Sequence, residues 1–227
     1  MYILHIANKN YSSWSLRPWV LMRALDIPFS ERMHRLGSET LTDFSPSGKV
    51  PCLVDIATVV WDSLAITEYL AERHSGVWPT DDKARAWARC AAAEMHSGFA
   101  SLRGQHPMNV GQRVAVAQRS PELLVDIARI ERLWNDGLAR FGGPFLAGRE
   151  FTAVDAFFAP VVYRFRTYGV TPGGAAAGYL QTLLAHPAMQ AWETQALAED
   201  FRQEKYEAEL AQIGTVTADL RVPVAPA

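Results

Sequence analysis

The sequence predicts an α/β N-terminal unit followed by an all-helical C-terminal unit, and three observations predict it. Short β-prone runs alternate with helical periodicity only as far as about residue 76. A linker rich in breakers and polar residues, Ser75-Gly76-Val77-Trp78-Pro79-Thr80-Asp81-Asp82, follows. From Lys83 onward the apolar residues recur at i, i+3, i+4 and i+7, and only helices are expected. The boundaries that follow are 1–76 for the α/β domain, 83–213 for the helical domain and 214–227 for a flexible tail. That tail is either disordered or folded over a pocket.

Each element has its own signal. Tyr2–Ala7 is short and apolar, a buried strand, and Asn8-Lys9-Asn10 is a polar turn. A helix is expected from about Ser13 to Leu25, with Leu16, Trp19, Val20 and Ala24 on one face. Pro18 is tolerated in a first turn, where backbone N–H groups lack partners anyway. Pro28–Leu36 reads as a second strand and Ser38–Phe44 as a short helix or turn. Cys52–Asp55 and Thr58–Trp61 form a hairpin. Ser63–His74 is a helix with Ile66, Tyr69 and Leu70 on one face.

In the C-terminal half, Ala84, Trp87, Ala88, Ala91, Ala92, Met95 and Phe99 form one helical stripe. A second runs through Leu123, Ile127, Ile130, Trp134, Leu138 and Phe141, and a third through Val154, Phe157, Phe158, Val161, Val162 and Phe165. Thr152-Ala153-Val154-Asp155 is a capping-box pattern opening that third helix.

Composition narrows the functions. The chain has 227 residues, 49% of them hydrophobic, enough for a sizeable core. A net charge of −2 offers no basic face for nucleic acid. No apolar run approaches the roughly 18 residues that argue a membrane span. The segment from Met1 lacks the apolar region of a signal peptide. Cys52 and Cys90 read as buried thiols of a reducing compartment, so a cytoplasmic location is expected. The six histidines show no metal-ligand spacing, so no metal is expected. Nucleophile-elbow, P-loop and G-x-G-x-x-G patterns are absent from the sequence.

One stretch points to a ligand. Gly48-Lys49-Val50-Pro51-Cys52-Leu53 is a loop entering a strand through a proline, which leaves a backbone edge unpaired. Asp62-Ser63-Leu64-Ala65-Ile66 then opens a helix, whose free N–H groups suit a carboxylate. Together they form a grip for a peptide-like ligand.

These motifs, with the Thr152–Asp155 box and the two-part architecture, resemble cytosolic glutathione transferases over about residues 1–200. Tyr11-Ser12-Ser13-Trp14-Ser15-Leu16-Arg17 further resembles the zeta class, in which two serines open the first helix; Trp14 stands where that class carries cysteine. The resemblance implies a thioredoxin-like βαβ-ββα domain, glutathione as co-substrate and a homodimer. It also implies Ser12 as the hydroxyl that holds the glutathione thiolate, with Ser13 a second donor; both also suit helix capping. A free thiol ionises near pH 8.5, roughly, and lowering that by about two units corresponds to about 2.7 kcal/mol, within reach of a hydroxyl and a helix dipole.

By the same resemblance the Val50-Pro51 bond is cis, and Val50 pairs with the cysteinyl part of glutathione. Asp62 and Ser63 meet its γ-glutamyl end, Asp62 serving equally as an N-cap. Lys49 either meets the glycyl carboxylate or is simply solvated. The pocket for a small hydrophobic or carboxylated electrophile is placed between the domains, with Tyr11, Trp14, His96, Phe99 and Arg103 as candidates. Phe99 also fits the helical core. Ser15 is read as structural, and Arg17 as an anchor to a carboxylate or carbonyl. The resulting activity is glutathione transfer. The alternatives are zeta-like cis–trans isomerisation of a maleyl-type diketo acid, for which Arg103, Arg164 and Arg166 are possible carboxylate holders, and a non-catalytic glutathione-binding module.

Overall fold

The computed structural model describes residues 1–35 and 41–223. Strand β1 (Tyr2–Ala7) leads through helix α1 (Ser13–Ala24) to β2 (Phe29–His34), which lies parallel to β1. A helical crossover is what a parallel pair requires. A two-residue turn then joins β3 (Cys52–Asp55) to β4 (Thr58–Val60), an antiparallel hairpin that adds to the other edge of β1. The sheet order is β2-β1-β3-β4, and α2 (Ser63–Ala71) returns across it. This is the thioredoxin-like βαβ-ββα arrangement. Of the Ser38–Phe44 segment, Leu41–Asp43 is a single 3-10 turn, and residues 36–40 lie outside the described residues.

The helical domain follows with α3 (Asp82–Ser97), α4 (Ala100–Gln105), α5 (Pro121–Phe141), α6 (Ala153–Thr167), α7 (Ala175–Ala185), α8 (Pro187–Leu197) and α9 (Glu204–Ile213). Helix α6 is buried almost all round, which is why its sequence is apolar on more than one face. It packs on α1, α3 and α7, so the two domains share one hydrophobic core. Its N-terminus is fixed as the capping box predicts: the Asp155 carboxylate accepts the Thr152 N–H at 3.0 Å. The other carboxylate oxygen accepts the Leu146 N–H at 3.0 Å and the Tyr179 hydroxyl at 3.1 Å.

The domains are also joined by polar contacts at the turn between β1 and α1. Glu199 accepts the backbone N–H of Lys9 at 2.6 Å and of Asn10 at 3.3 Å. The Trp192 indole N–H donates to the Lys9 carbonyl at 2.9 Å, and Gly111 N–H donates to the Asn10 side chain at 2.9 Å. The Lys9 ammonium is buried against Trp19 and Trp192 and paired with Glu31.

Four expectations need correction. The helical domain is not purely helical: β5 (Gln112–Ala115) pairs antiparallel with β6 (Thr215–Asp219). Residues 215–223 are therefore not a flexible tail. The strand is held by its partner, and Arg221 beyond it is buried against Asp219 and Glu207. Cys90 is exposed on α3, because it falls between the buried positions Ala88 and Ala91, while Cys52 is buried as expected. Pro18 lies one turn deeper in α1 than the first turn, so Trp14 lacks the usual i+4 N–H donor for its carbonyl.

His106 carries a pH consequence. It is buried and stacked on Tyr168 at 4.1 Å, and desolvation lowers its pKa to about 4. The folded value lies below the unfolded one, so the unfolded chain binds more protons between about pH 4 and 6.5. Stability from this group is complete above the unfolded value and is lost as pH falls through that window, by up to about 3 kcal/mol. Urea titrations of wild type and His106→Phe across that range are expected to show a smaller acid-side loss in the variant.

Candidate active site

The turn Asn8–Asn10 delivers the chain into α1. Tyr11 and Ser12 N–H groups both donate to the Asn8 carbonyl, at 3.2 and 2.9 Å, which sets Ser12 as the N-cap residue. Its side chain makes no capping bond. Instead the Ser12 hydroxyl donates to Ser15 Oγ at 2.7 Å, and Ser15 Oγ also accepts the Ala7 N–H at 3.2 Å. Ser12 therefore occupies the capping position while its hydroxyl is directed elsewhere.

A cavity of about 330 Å³ opens beside it. Among its walls are Tyr11, Ser12, Ser13, Trp14, Lys49 and Val50 from the first domain. The helical domain contributes Arg103, Pro107, Met108, Arg164 and Tyr206. A second cavity of about 380 Å³ adjoins it through Trp14, Lys49 and Val50, and is completed by Pro51, Trp61, Asp62 and Ser63. The Val50–Pro51 peptide between them is cis. Asp62 caps α2 by accepting the Leu64 N–H at 2.9 Å. Ser63 is fully buried, and its Oγ has no partner among the described residues. An unpaired buried hydroxyl at a helix N-terminus suits an anionic ligand group.

Two candidates fall outside both linings. His96 stands behind Trp14, with ring centroids 5.3 Å apart and Nε2 3.3 Å from the Asp62 carboxylate. Phe99 follows the end of α3 in the left-handed backbone region (φ 58°), a turn that carries its side chain into the core. Arg166 is also elsewhere, paired with Glu193 at 2.8 Å.

The electrostatics favour anions. Arg17 is buried, with its guanidinium 4.2 Å from the Trp14 ring and 4.9 Å from Phe157. It is held by aromatic stacking rather than by the expected carboxylate or carbonyl, and its Nε and Nη1 have no partner among the described residues. Burial lowers its pKa to about 9, the charges of Arg103 and Arg164 add to the shift, and Asp62 opposes it. Arg164 is likewise lowered to about 10, by burial first and then by Arg103. Its Nη1 donates to the carbonyls of Arg103 and His106. Arg103 and Arg164 thus line one side of the cavity, and Arg17 lies buried behind Trp14, its charge disfavoured by both.

The roof comes from the segment around α9. Tyr206 lies 5.4 Å from Tyr11, ring centre to ring centre. The Tyr11 hydroxyl donates to Glu207 at 2.6 Å and accepts from Arg221 at 3.0 Å. Burial and the Glu207 bond push its pKa up to about 12. With its proton committed to a carboxylate, Tyr11 is not the hydroxyl free to hold a thiolate. Of the three arginines named as carboxylate holders, Arg103 and Arg164 line the cavity. Tyr206 was not among the expected pocket residues and had no sequence signal.

The sheet with its crossing helices, the cis-proline loop and the paired cavities define a glutathione-transferase-like protein. The chain matches the family model for the N-terminal domain of glutathione S-transferase over residues 11–73 and that for the C-terminal domain over residues 117–194. It belongs to the glutathione transferase family. It is 27% identical over 150 residues to a stringent starvation protein A homolog of Pasteurella multocida, covering 65% of this chain and 67% of that one. It is 25% identical over 169 residues to a probable maleylacetoacetate isomerase of Caenorhabditis elegans, covering 71% and 77%. A glutathione transferase homolog from Burkholderia, solved with bound glutathione, shares the fold with a TM-score of 0.65 at 20% identity, over 86% of this chain and 97% of that one.

The roof gives a direct test. Arg221→Met leaves Glu207 and Asp219 without their cation; because both are partly exposed, the expected loss is about 2 kcal/mol. Thermal unfolding checks the loss. Faster proteolysis within residues 204–223 locates it.

Proposed function

We propose that this chain is a glutathione transferase in which the Ser12 hydroxyl holds the thiolate for addition to a small electrophile carrying an anionic group. The observation that carries the reading is the pair of adjoining cavities. One has a cis-proline backbone edge, the α2 N-terminus and an unpaired buried Ser63 hydroxyl, which suit the backbone and γ-glutamyl carboxylate of glutathione. The other has Ser12 at one side and Arg103 and Arg164 at another, so a thiolate and an electrophile meet where they join. The Burkholderia homolog solved with glutathione supports the same ligand.

In this mechanism Lys49 and Val50, which face both cavities, orient the tripeptide, and Asp62 faces its amino group. Ser12, backed by the α1 N-terminus, stabilises the thiolate over the thiol. Ser13 is the auxiliary donor. Trp14 separates the two ligands, and the arginines balance the electrophile's charge. Reversible addition to a maleyl-type diketo acid is a second reading, favoured by the two cavity-lining guanidinium groups and by the likeness to the nematode isomerase. Glutathione binding without turnover is a third, because the Pasteurella relative's name describes no transferase.

Ser12→Ala is expected to raise the pKa of bound glutathione and to lower kcat/KM at neutral pH by about ten- to a hundredfold, the worth of one hydrogen bond to a charged group. Ser13→Ala should have the smaller effect. Thiolate absorbance against pH and steady-state conjugation rates check both, and an unchanged Ser12→Ala enzyme sinks the assignment. For the electrophile, Arg103→Met and Arg164→Met should each raise KM for a carboxylated acceptor about tenfold or more and leave a neutral acceptor nearly unaffected. Equal losses on both acceptors would contradict the anionic-substrate reading. Turnover of a maleyl-type diketo acid without net consumption of glutathione would select the isomerase.

A further inference from the structure

Ser15 has a place in the site that capping or packing does not explain. It sits in the first turn of α1, fully buried, one residue beyond Trp14. Its Oγ accepts two hydrogen bonds, from the Ala7 N–H at the end of β1 and from the Ser12 hydroxyl. In that arrangement its own hydroxyl proton has no acceptor among the described residues. A buried polar hydrogen without an acceptor is costly. The same 2.7 Å separation serves equally well in the opposite sense, because a hydroxyl hydrogen rotates about its C–O bond.

We propose that Ser15 is a positioning residue: when a thiolate occupies the cavity, Ser15 donates to Ser12 and thereby turns the Ser12 proton toward the sulfur. The chain then runs from Ala7 N–H to Ser15, from Ser15 to Ser12 and from Ser12 to the thiolate. Every donor in it has one acceptor, and each link polarises the next. No covalent bond is made or broken and no proton changes its heavy atom; only two hydroxyl rotors turn. The Ala7 amide donates to Ser15 in either arrangement; the thiolate, which can only accept, sets the direction of the other two links. Without an anion, Ser12 donates inward and its hydroxyl is not presented to the cavity. The relay therefore discriminates thiolate from thiol through the orientation of two hydrogens.

The proposal rests on Ser12 being the thiolate's donor, and the test separates the two. Bound glutathione is titrated by its thiolate absorbance in wild type, Ser15→Ala, Ser12→Ala and the double variant, with glutathione affinity measured calorimetrically at a pH where the thiol is protonated. Ser15→Ala is expected to raise the thiol pKa by about half a unit to one unit, with affinity for the protonated form changed less than twofold. The double variant should match Ser12→Ala alone, since Ser15 acts only through Ser12. A shift in Ser12→Ala with none in Ser15→Ala overturns the relay and leaves the Ser12 reading standing. No shift in either overturns both. An additive double variant also overturns the relay. If Ser15→Ala does not fold, the near-isosteric Ser15→Cys, a weaker donor, decides the matter: an upward shift supports the relay and an unchanged titration refutes it.

Discussion

The clamp on the Asn8–Asn10 turn is the constraint on which the rest of the molecule depends. These residues connect the first strand to the first helix, yet most of what holds them is supplied from far along the chain. Glu199 takes two backbone N–H groups, Trp192 donates to a carbonyl, and the Val110–Gly111 backbone meets Asn10 through both its main chain and its side chain. Buried backbone groups need partners, and here the α/β domain leaves them to the helical domain. Ser12 follows two residues later, with the Asn8 carbonyl accepting its N–H. The position of the hydroxyl is thus a property of both domains.

That arrangement explains how the cavities form. The first domain provides a cis-proline edge and a capped helix, both local products of its own chain. The second adds α6, which packs on α1 from the opposite side and brings Arg164 to the same opening as Ser12. Burying a guanidinium without a full set of partners is unfavourable. Stacking on Trp14 and Phe157 gives Arg17 a polarisable surface in place of a counter-ion. The outcome is a cavity with a positive interior in a chain whose net charge is −2, a contrast that composition alone hides.

What could be read in the sequence and what could not divide along the same line. The four strands, the crossing helices and the Asp155 cap were legible because each has a short-range signal: periodicity, a breaker or a cap. The grouping of Ser12 with Val50, Pro51, Asp62 and Ser63 was implied only by the family resemblance. The β5–β6 pair was not, since each strand is only a few residues long and its partner lies about a hundred positions away. Tyr206 and Arg221 depend on that pairing and were hidden with it. Phe99 satisfies a helical stripe, but α3 ends at Ser97, and the left-handed turn that follows decides where Phe99 goes. Ser15 was read as structural because one buried serine looks like another until its partners are known.

The roof over the cavity has a consequence for biogenesis. Tyr11 and Glu207 are bonded across 196 positions of sequence. A ribosome making this chain releases the serine, the proline loop and the arginine of α6 well before Tyr206, Glu207 and Arg221 appear. Domains generally fold as they emerge, N-terminal portion first. Yet the clamp residues Trp192 and Glu199 follow only shortly before the roof, so the Ser12 side of the cavity is fixed and covered almost together, late in synthesis. Closure arrives only with the segment that completes the second, two-stranded sheet, so enclosure of the site is coupled to synthesis of the chain through residue 221.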